Sequence, residues 1–180
     1  MKKILIISFL FSLSGCATVY KVNDSILNQG SRYKEPASGK TANVRVFYGI
    51  GKKIYIYPNS QTKKELSKDK DGGLAFTSVK TLGFQKFEYA PKSLNMPYAP
   101  QSATNFGEFK VPADRPVIVQ MTYGYKEGQR YESCPFRMFK VTFEESKDYA
   151  LIMNTNSGCT YEFYEYKNGQ ALRMKNIEKL

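Results

Sequence analysis

Three cysteines are the residues of this 180-residue chain whose chemistry is easiest to specify. Cys16 directly follows an apolar run and the small pair Ser14-Gly15. Cys134 and Cys159 would close a loop of about 26 residues if they form a disulfide. The alternative for this second pair is two free, buried thiols.

The chain contains no histidine. Histidine is the commonest general base near neutral pH and the commonest metal ligand. Its absence excludes Ser-His-Asp and Cys-His catalysis within this chain, together with any zinc site that needs histidine. The sequence therefore predicts a protein that is not an enzyme, with no catalytic residues, no metal and no small-molecule cofactor.

Three other patterns approach a functional motif and depart from it. The stretch ASGKT (37–41) has Lys34 where a phosphate-binding loop requires its first glycine. The stretch SKDKDGG (67–73) has Ser67 where a calcium loop begins with an acid, so we interpret it as a turn. A glycosidase would need two converging carboxylates, and the sequence forces no pair together. The five glutamates considered for such a pair are Glu132, Glu144, Glu145, Glu162 and Glu165.

Tyrosines beside basic residues predict a contact surface. The chain has 14 tyrosines, whose apolar ring and polar hydroxyl suit half-buried faces and interfaces. Two stretches, KKIYIYP (52–58) and YGYKEGQRYESC (123–134), place tyrosines next to lysine and arginine, and we interpret the second as a loop. The alternative is the ordinary surface of a β domain. The predicted partner-contact residues are Lys53, Tyr55, Tyr57, Tyr123, Tyr125, Lys126, Arg130 and Tyr131.

The first 16 residues have the pattern of a secretory signal. Lys2 and Lys3 precede ten apolar residues, 4–13, which are too few to cross a bilayer core that needs about 20. The run ends in Leu-Ser-Gly-Cys (13–16), which resembles the lipobox of bacterial lipoproteins. The alternatives are a conventional signal peptide with an incidental cysteine, or a buried N-terminal helix.

The lipobox resemblance implies that residues 1–15 are removed and that Cys16 becomes the first residue, carrying a diacylglycerol and an N-acyl chain such as palmitate. Two or more acyl chains hold a protein stably on a membrane. Ala17, in place of the aspartate that signals inner-membrane retention, favours the outer membrane with the domain facing the periplasm. That oxidising compartment would pair Cys134 with Cys159.

The remainder of the chain divides into a tether and one domain. Residues 16–42 are rich in Ser, Gly, Asn and Lys without a sustained period, which is typical of a flexible, here lipidated, tether. Residues 43–180 contain about eight short alternating runs separated by turn signals. This pattern predicts an all-β fold, an antiparallel β-sandwich.

Three details of the fold are predicted as well. The runs 42–49 and 52–58 suggest a hairpin, since short β-branched and aromatic segments flank Gly49-Ile50-Gly51. The tail, 170–180, could form a short C-terminal helix. Next-but-one strands of one sheet lie about 10 Å apart, too far for a Cys134–Cys159 bond. Either one cysteine lies in a loop that folds over the sheet edge, or the disulfide joins the two sheets or crosses the end of the sandwich, and we favour the second arrangement.

The C-terminal pattern is similar to that of small uncharacterised envelope lipoproteins of bacteria. The matching pieces are VPADRPVIVQMTY, a cysteine before an F-x-x-F strand, KDYALIM and a second cysteine. This resemblance implies a fold and a location and identifies no functional residues.

Three functions are compatible with such a lipoprotein, and all of them include the membrane as a partner through the lipid anchor. Loss of Lys2 and Lys3 lowers the net charge from +11 to +9, and a basic chain suits anionic partners. The first function is docking of, or an accessory role for, another envelope component, through a protein partner. The second is an immunity-type lipoprotein that neutralises a toxin, and the third is a binder of anionic glycan or nucleic acid.

Overall fold

A computed structural model describes residues 32–47, 49, 51–77, 79–81, 84–86, 93–97, 106–155, 158–175 and 177–180. The signal segment, Cys16 and the tether up to residue 31 lie outside the described residues. None of the helices within these ranges is long and apolar enough to cross a membrane. The strands are β1 Thr41–Phe47, β2 Lys52–Tyr57, β3 Gly73–Thr77, β4 Val79–Thr81, β5 Phe84–Lys86, β6 Phe106–Pro112, β7 Pro116–Glu127, β8 Arg130–Thr142, β9 Asp148–Asn154, β10 Thr160–Lys167, β11 Gln170–Arg173 and β12 Ile177–Lys179, with a 3-10 helix at Lys63–Lys68.

Two five-stranded sheets pack face to face. The first sheet has the strand order β12-β8-β7-β2-β3 and the second has the order β11-β10-β9-β1-β6, while β4 and β5 form a separate two-stranded ladder. The predicted all-β sandwich is therefore confirmed. The pairing of β1 with β9 is parallel and departs from the expected antiparallel arrangement.

Alternating apolar residues from both sheets form the core between them. On β7, the alternating residues Val117, Val119, Met121 and Tyr123 share one face, which is buried in this core. Aromatic rings cross the gap between the sheets, as at Phe139 of β8 and Phe163 of β10, whose centroids lie 5.0 Å apart. The period-2 pattern thus identifies the inward face correctly.

The predicted hairpin between β1 and β2 is wrong. β1 pairs with β6 and β9 in the second sheet, whereas β2 pairs with β3 and β7 in the first. The chain therefore crosses between sheets through Gly49 and Gly51. Gly51 has a φ of 82°, and a Cβ there would lie 2.3 Å from the carbonyl oxygen of Gly124, so the crossover requires glycine at this position.

The predicted C-terminal helix is also wrong, because the tail forms strands β11 and β12. Asn168 and Gly169 have φ values of 50° and 79°, the positive pair that a type I′ hairpin turn requires. The turn sends the chain back along β10, with Lys167 opposite Gln170. β12 then pairs with β8 in the first sheet, so the tail contributes an edge strand to each sheet.

Residues 32–40, which we call the N-terminal strap, lie along the side of the sandwich. Arg32 bridges Leu74 of β3, and the hydroxyl of Tyr33 donates to the carbonyl oxygen of Lys110 on β6 at 2.8 Å. The amide of Lys110 donates in turn to the Glu35 carboxylate at 3.0 Å. The strap therefore covers one edge of each sheet, and the expected tether of residues 16–42 becomes part of the folded unit from Arg32 onward.

Candidate docking surface

β7 and β8 extend beyond their sheet as a two-stranded arm, residues 123–134. β7 pairs with β2 as far as Tyr123, and from there to the turn it pairs with β8. Gly128, the first residue of the turn, has a φ of 57°, which a two-residue hairpin turn commonly places on glycine. The loop predicted for 123–134 is therefore wrong. The same residues form a hairpin, in which hydrogen-bonded strands fix the side chains in position.

One face of the arm continues the core. Tyr123 is buried and Tyr125 is partly buried against the core cluster, with Cys134 and Glu132 directly opposite them. The hydroxyl of Tyr123 donates to Glu132 Oε2 at 3.1 Å, and Arg130 Nη2 lies 2.5 Å from Glu132 Oε1. Burial, reinforced by the hydrogen bond to Glu132, raises the pKa of Tyr123, so its hydroxyl remains a donor.

The other face of the arm presents a tyrosine and a lysine to solvent. Tyr131 stands opposite Lys126 in the ladder and has 67% of its surface exposed. Phe136, at a bulge of β8 just past the arm, is 58% exposed. In the part of the chain that the structure describes, the other large exposed hydrophobic residue is Leu172 on β11. Exposed apolar area is therefore concentrated on β8, with Lys126 opposite Tyr131 on the same face of the arm.

A disulfide supports the base of the arm. Cys134 of β8 bonds to Cys159, which directly precedes β10, with their Cα atoms 5.6 Å apart. The two strands belong to different sheets, so the predicted disulfide and its predicted course between sheets are both confirmed. The hydroxyl of Tyr161 adds a hydrogen bond to the carbonyl oxygen of Pro135. The disulfide and this hydrogen bond therefore attach the base of the arm to both sheets.

The predicted contact residues of β2 do not share this surface. Tyr55 and Tyr57 are 1% and 2% exposed and pack with Ile118 in a second core on the outer face of the first sheet. Leu66 of the 3-10 helix packs against this cluster, and burial raises the pKa of Tyr57 to about 12. Lys53 is partly buried on β2. The signal that could have indicated this burial is Leu66, the single apolar residue of the polar stretch 59–72.

A buried ion pair on the outer face of the second sheet was not predicted. Arg45 of β1 and Glu108 of β6 are 0% and 1% exposed, with Arg45 Nη2 2.6 Å and Nε 2.8 Å from Glu108 Oε1. The remaining guanidinium donors reach the carbonyl oxygens of Met96 at 2.7 Å and Pro97 at 3.1 Å. The guanidinium also lies 4.8 Å from the ring centroid of Phe106.

The second oxygen of Glu108 binds the same covering segment, residues 93–97. Glu108 Oε2 accepts from the amide of Leu94 and from the hydroxyl of Ser93. Arg45 and Glu108 therefore hold this segment over the sheet through both partners, and their charges are matched and hydrogen-bonded. We assign the pair a structural role, because its polar atoms are occupied by the protein itself.

Charged residues in the phosphate-loop-like and calcium-like stretches contact other residues of the protein. Lys40, in the phosphate-loop-like stretch, lies 2.7 Å from Asp114 and 3.2 Å from Glu145. Asp69, in the calcium-like stretch, accepts from the amide of Asn59 at 2.8 Å, so its carboxylate organises its own loop. Within the described ranges no three His, Cys, Asp or Glu side chains are grouped as metal ligands.

The glutamates considered for a glycosidase pair are likewise engaged. Glu144 and Glu165 both contact Lys147 Nζ, at 2.6 and 2.9 Å, and these hydrogen bonds raise the pKa of that lysine. Glu162 accepts from the hydroxyl of Tyr164 at 3.0 Å. Glu132 is held by Tyr123 and Arg130 in the arm, and Glu145 by Lys40.

The fold and the site together define a class: a disulfide-supported β-sandwich with a projecting hairpin that carries exposed aromatic and basic residues. The chain matches no protein-family model, no curated protein and no solved structure.

Proposed function

We propose that this chain is a membrane-anchored envelope lipoprotein, without catalytic activity, that docks another component of the cell envelope. Cys16 carries the acyl chains, the outer membrane holds the anchor and the sandwich faces the periplasm. The observation that carries the docking role is the exposure of Tyr131, opposite Lys126 on the supported arm, and of Phe136 just past the arm on the same strand.

Aromatic and arginine side chains dominate the binding energy of protein interfaces. A side chain held on a rigid hairpin loses little conformational entropy when it binds, which favours affinity. Tyr131 and Phe136 are both exposed on one strand, and exposed apolar surface of this kind marks interaction sites. We therefore propose that the partner is a protein with an apolar pocket and a neighbouring acidic group, which would match Lys126.

The proposal predicts that one envelope protein co-purifies with the acylated chain and depends on the arm. The variant Tyr131→Ser/Phe136→Ser is expected to recover at least about tenfold less of this protein, since each lost contact residue of this type contributes 1 kcal/mol or more. The measurement is affinity capture from detergent-solubilised envelope, with bound proteins quantified by mass spectrometry.

The matched control is Leu172→Ser, which removes another exposed hydrophobic side chain, 46% exposed, from β11. It is expected to capture the partner as the unchanged chain does. A Cys16→Ser bait, run beside it, lacks the acyl acceptor and is expected to leave the membrane fraction. Equal capture by the arm variant and the control would contradict the docking role.

The same experiment separates the other two functions. A tight one-to-one complex with an acidic toxin would replace the accessory role by an immunity role. Recovery of glycan or nucleic acid alone, lost as salt is raised, would replace both, because neutralising an anionic polymer releases counterions and makes affinity strongly salt-dependent.

A further inference from the structure

Four exposed lysines lie within eight residues at the end of the sandwich opposite the arm. They follow β2 on the excursion that carries the 3-10 helix, and we call residues 63–70 the lysine segment. None of the four forms an ion pair with another described residue. The four are Lys63, Lys64, Lys68 and Lys70.

The acidic side chains Asp69 and Glu65 of the lysine segment accept hydrogen bonds from residues of the same loop. Asp69 is buried and accepts from the Ser60 hydroxyl and from the amide of Asn59. Glu65 accepts from the amide of Gln61 at 2.7 Å. The lysine segment therefore presents cations outward while its carboxylates bind backbone and side-chain donors.

The lysine segment is held in a fixed position on the sandwich. Leu66 packs on the outer core of the first sheet, next to Tyr55 and Tyr57. Asn59, at the start of the excursion, accepts from both terminal nitrogens of Arg115 at 3.3 Å. The lysines are thus displayed by an ordered loop.

The strap brings the anchored end of the chain to this segment. The amide of Lys34 donates to the carbonyl oxygen of Asp71 at 3.0 Å, and the amide of Tyr33 donates to that of Leu74 at 3.2 Å. The chain from Cys16 to Arg32 can span at most about 55 Å. An acylated Cys16 would therefore confine the lysine segment to the neighbourhood of the bilayer.

The arm points away from that neighbourhood. Each β-strand residue rises about 3.3 Å, so the turn of the arm lies about 35 Å along β7 from Pro116. Arg115, next to Pro116, is the residue that binds Asn59 at the base of the lysine excursion. The two surfaces thus lie at opposite ends of the first sheet.

We propose that the lysine segment binds the anionic headgroups of the membrane that carries the lipid anchor. This inference rests on the proposed lipid anchor and is independent of the arm. The segment has four lysines and no aromatic or arginine side chain. Protein hot spots and nucleic-acid stacking use such side chains, whereas attraction to an anionic lipid surface requires only positive charge.

The experiment is an amine-labelling footprint of the full acylated chain on vesicles. Phosphatidylcholine vesicles are compared with vesicles that also contain phosphatidylglycerol, and the labelling of each lysine is read by mass spectrometry. Labelling of the four lysines is expected to fall at least about threefold on the anionic vesicles, because each lysine near such a surface is attracted to it. Lys126 on the arm is the internal control and is expected to label equally on both.

Salt and acylation give the outcomes that decide the proposal. Protection that is lost at about 1 M salt, where the screening length is about 3 Å, supports headgroup binding. Headgroup binding is overturned if the four lysines are labelled freely on both vesicle types. It is also overturned if they are protected to the same degree on both types, because the tether alone would then orient the domain. If the intact mass of the protein shows no acyl chain, the anchor proposal fails. The unacylated chain is then mixed with the same two vesicle types, and its labelling supports or overturns headgroup binding independently of the anchor.

Discussion

Arg45→Met is expected to lower the free energy of unfolding by about 3–5 kcal/mol, the cost of leaving one member of a buried ion pair alone. The Glu108 carboxyl would remain buried on the outer face of the second sheet, beneath residues 93–97, without the guanidinium that lies 2.6 Å from it. The carbonyl oxygens of Met96 and Pro97 would lose their donors at the same time. Urea denaturation of the variant and the unchanged chain measures the difference.

The matched control is the double variant Arg45→Met/Glu108→Leu. Removing both charges leaves no unpaired ion, so most of the lost stability is expected to return. The amides and hydroxyl that now donate to Glu108 remain unsatisfied, so recovery is expected to be incomplete. A loss below about 1 kcal/mol for Arg45→Met would show that solvent reaches the pair and would contradict its burial.

Removal of the Cys134–Cys159 disulfide is expected to lower the free energy of unfolding by about 3.5 kcal/mol, the chain-entropy value for a loop of this size. The suitable variant is Cys134→Ala/Cys159→Ser, because Cys134 is buried and Cys159 is exposed. Alanine avoids placing a hydroxyl in the core. Urea denaturation under oxidising conditions measures the loss.

Reduction provides the control for that variant. Dithiothreitol is expected to destabilise the unchanged chain by a similar amount and to leave the variant unaffected. A variant that unfolds within about 1 kcal/mol of the unchanged chain would contradict the role of the bond in holding the two sheets together at the arm.

Local sequence patterns identify much of this fold because they depend on neighbouring residues. The alternation of Val117, Val119 and Met121 indicates the buried face of β7 without reference to any other strand. The two cysteines beyond Cys16 indicate a disulfide, and the distance between next-but-one strands favours a bond between the sheets. These inferences need only the period of the apolar residues, the distance between strands and the covalent geometry of a disulfide.

Strand partners could not be predicted in the same way. A glycine pair between two short strands suits a hairpin and a crossover equally, and only packing against β6, β7 and β9 separates β1 from β2. In the C-terminal tail, by contrast, a hairpin is present where the sequence predicts a helix. Its residues favour helix, but Asn168-Gly169 is a strong hairpin signal and pairing with β10 overrides the propensity of the residues that follow.

The sequence predicts only those residues of the candidate site that lie close together along the chain. The spacing of Lys126 and Tyr131 places them together on a loop or on a hairpin, so their proximity survives the change of structure. The hairpin turns Tyr125 and Arg130 to the opposite face of the arm. The position of Tyr55 close to Lys53 in the sequence predicts a surface residue, whereas a sheet with cores on both faces buries both Ile54 and Tyr55. Arg45 gave no signal of burial, because the segment that covers it lies about 50 residues away.

The account places a protein partner at the arm and a membrane at the lysine segment. In-cell photo-crosslinking tests this most directly, with a photoreactive amino acid at Tyr131 in one variant of the acylated chain and at Lys64 in another. The account predicts a single protein adduct from position 131 and no protein adduct from position 64. Protein adducts from position 64, with none from position 131, would contradict it.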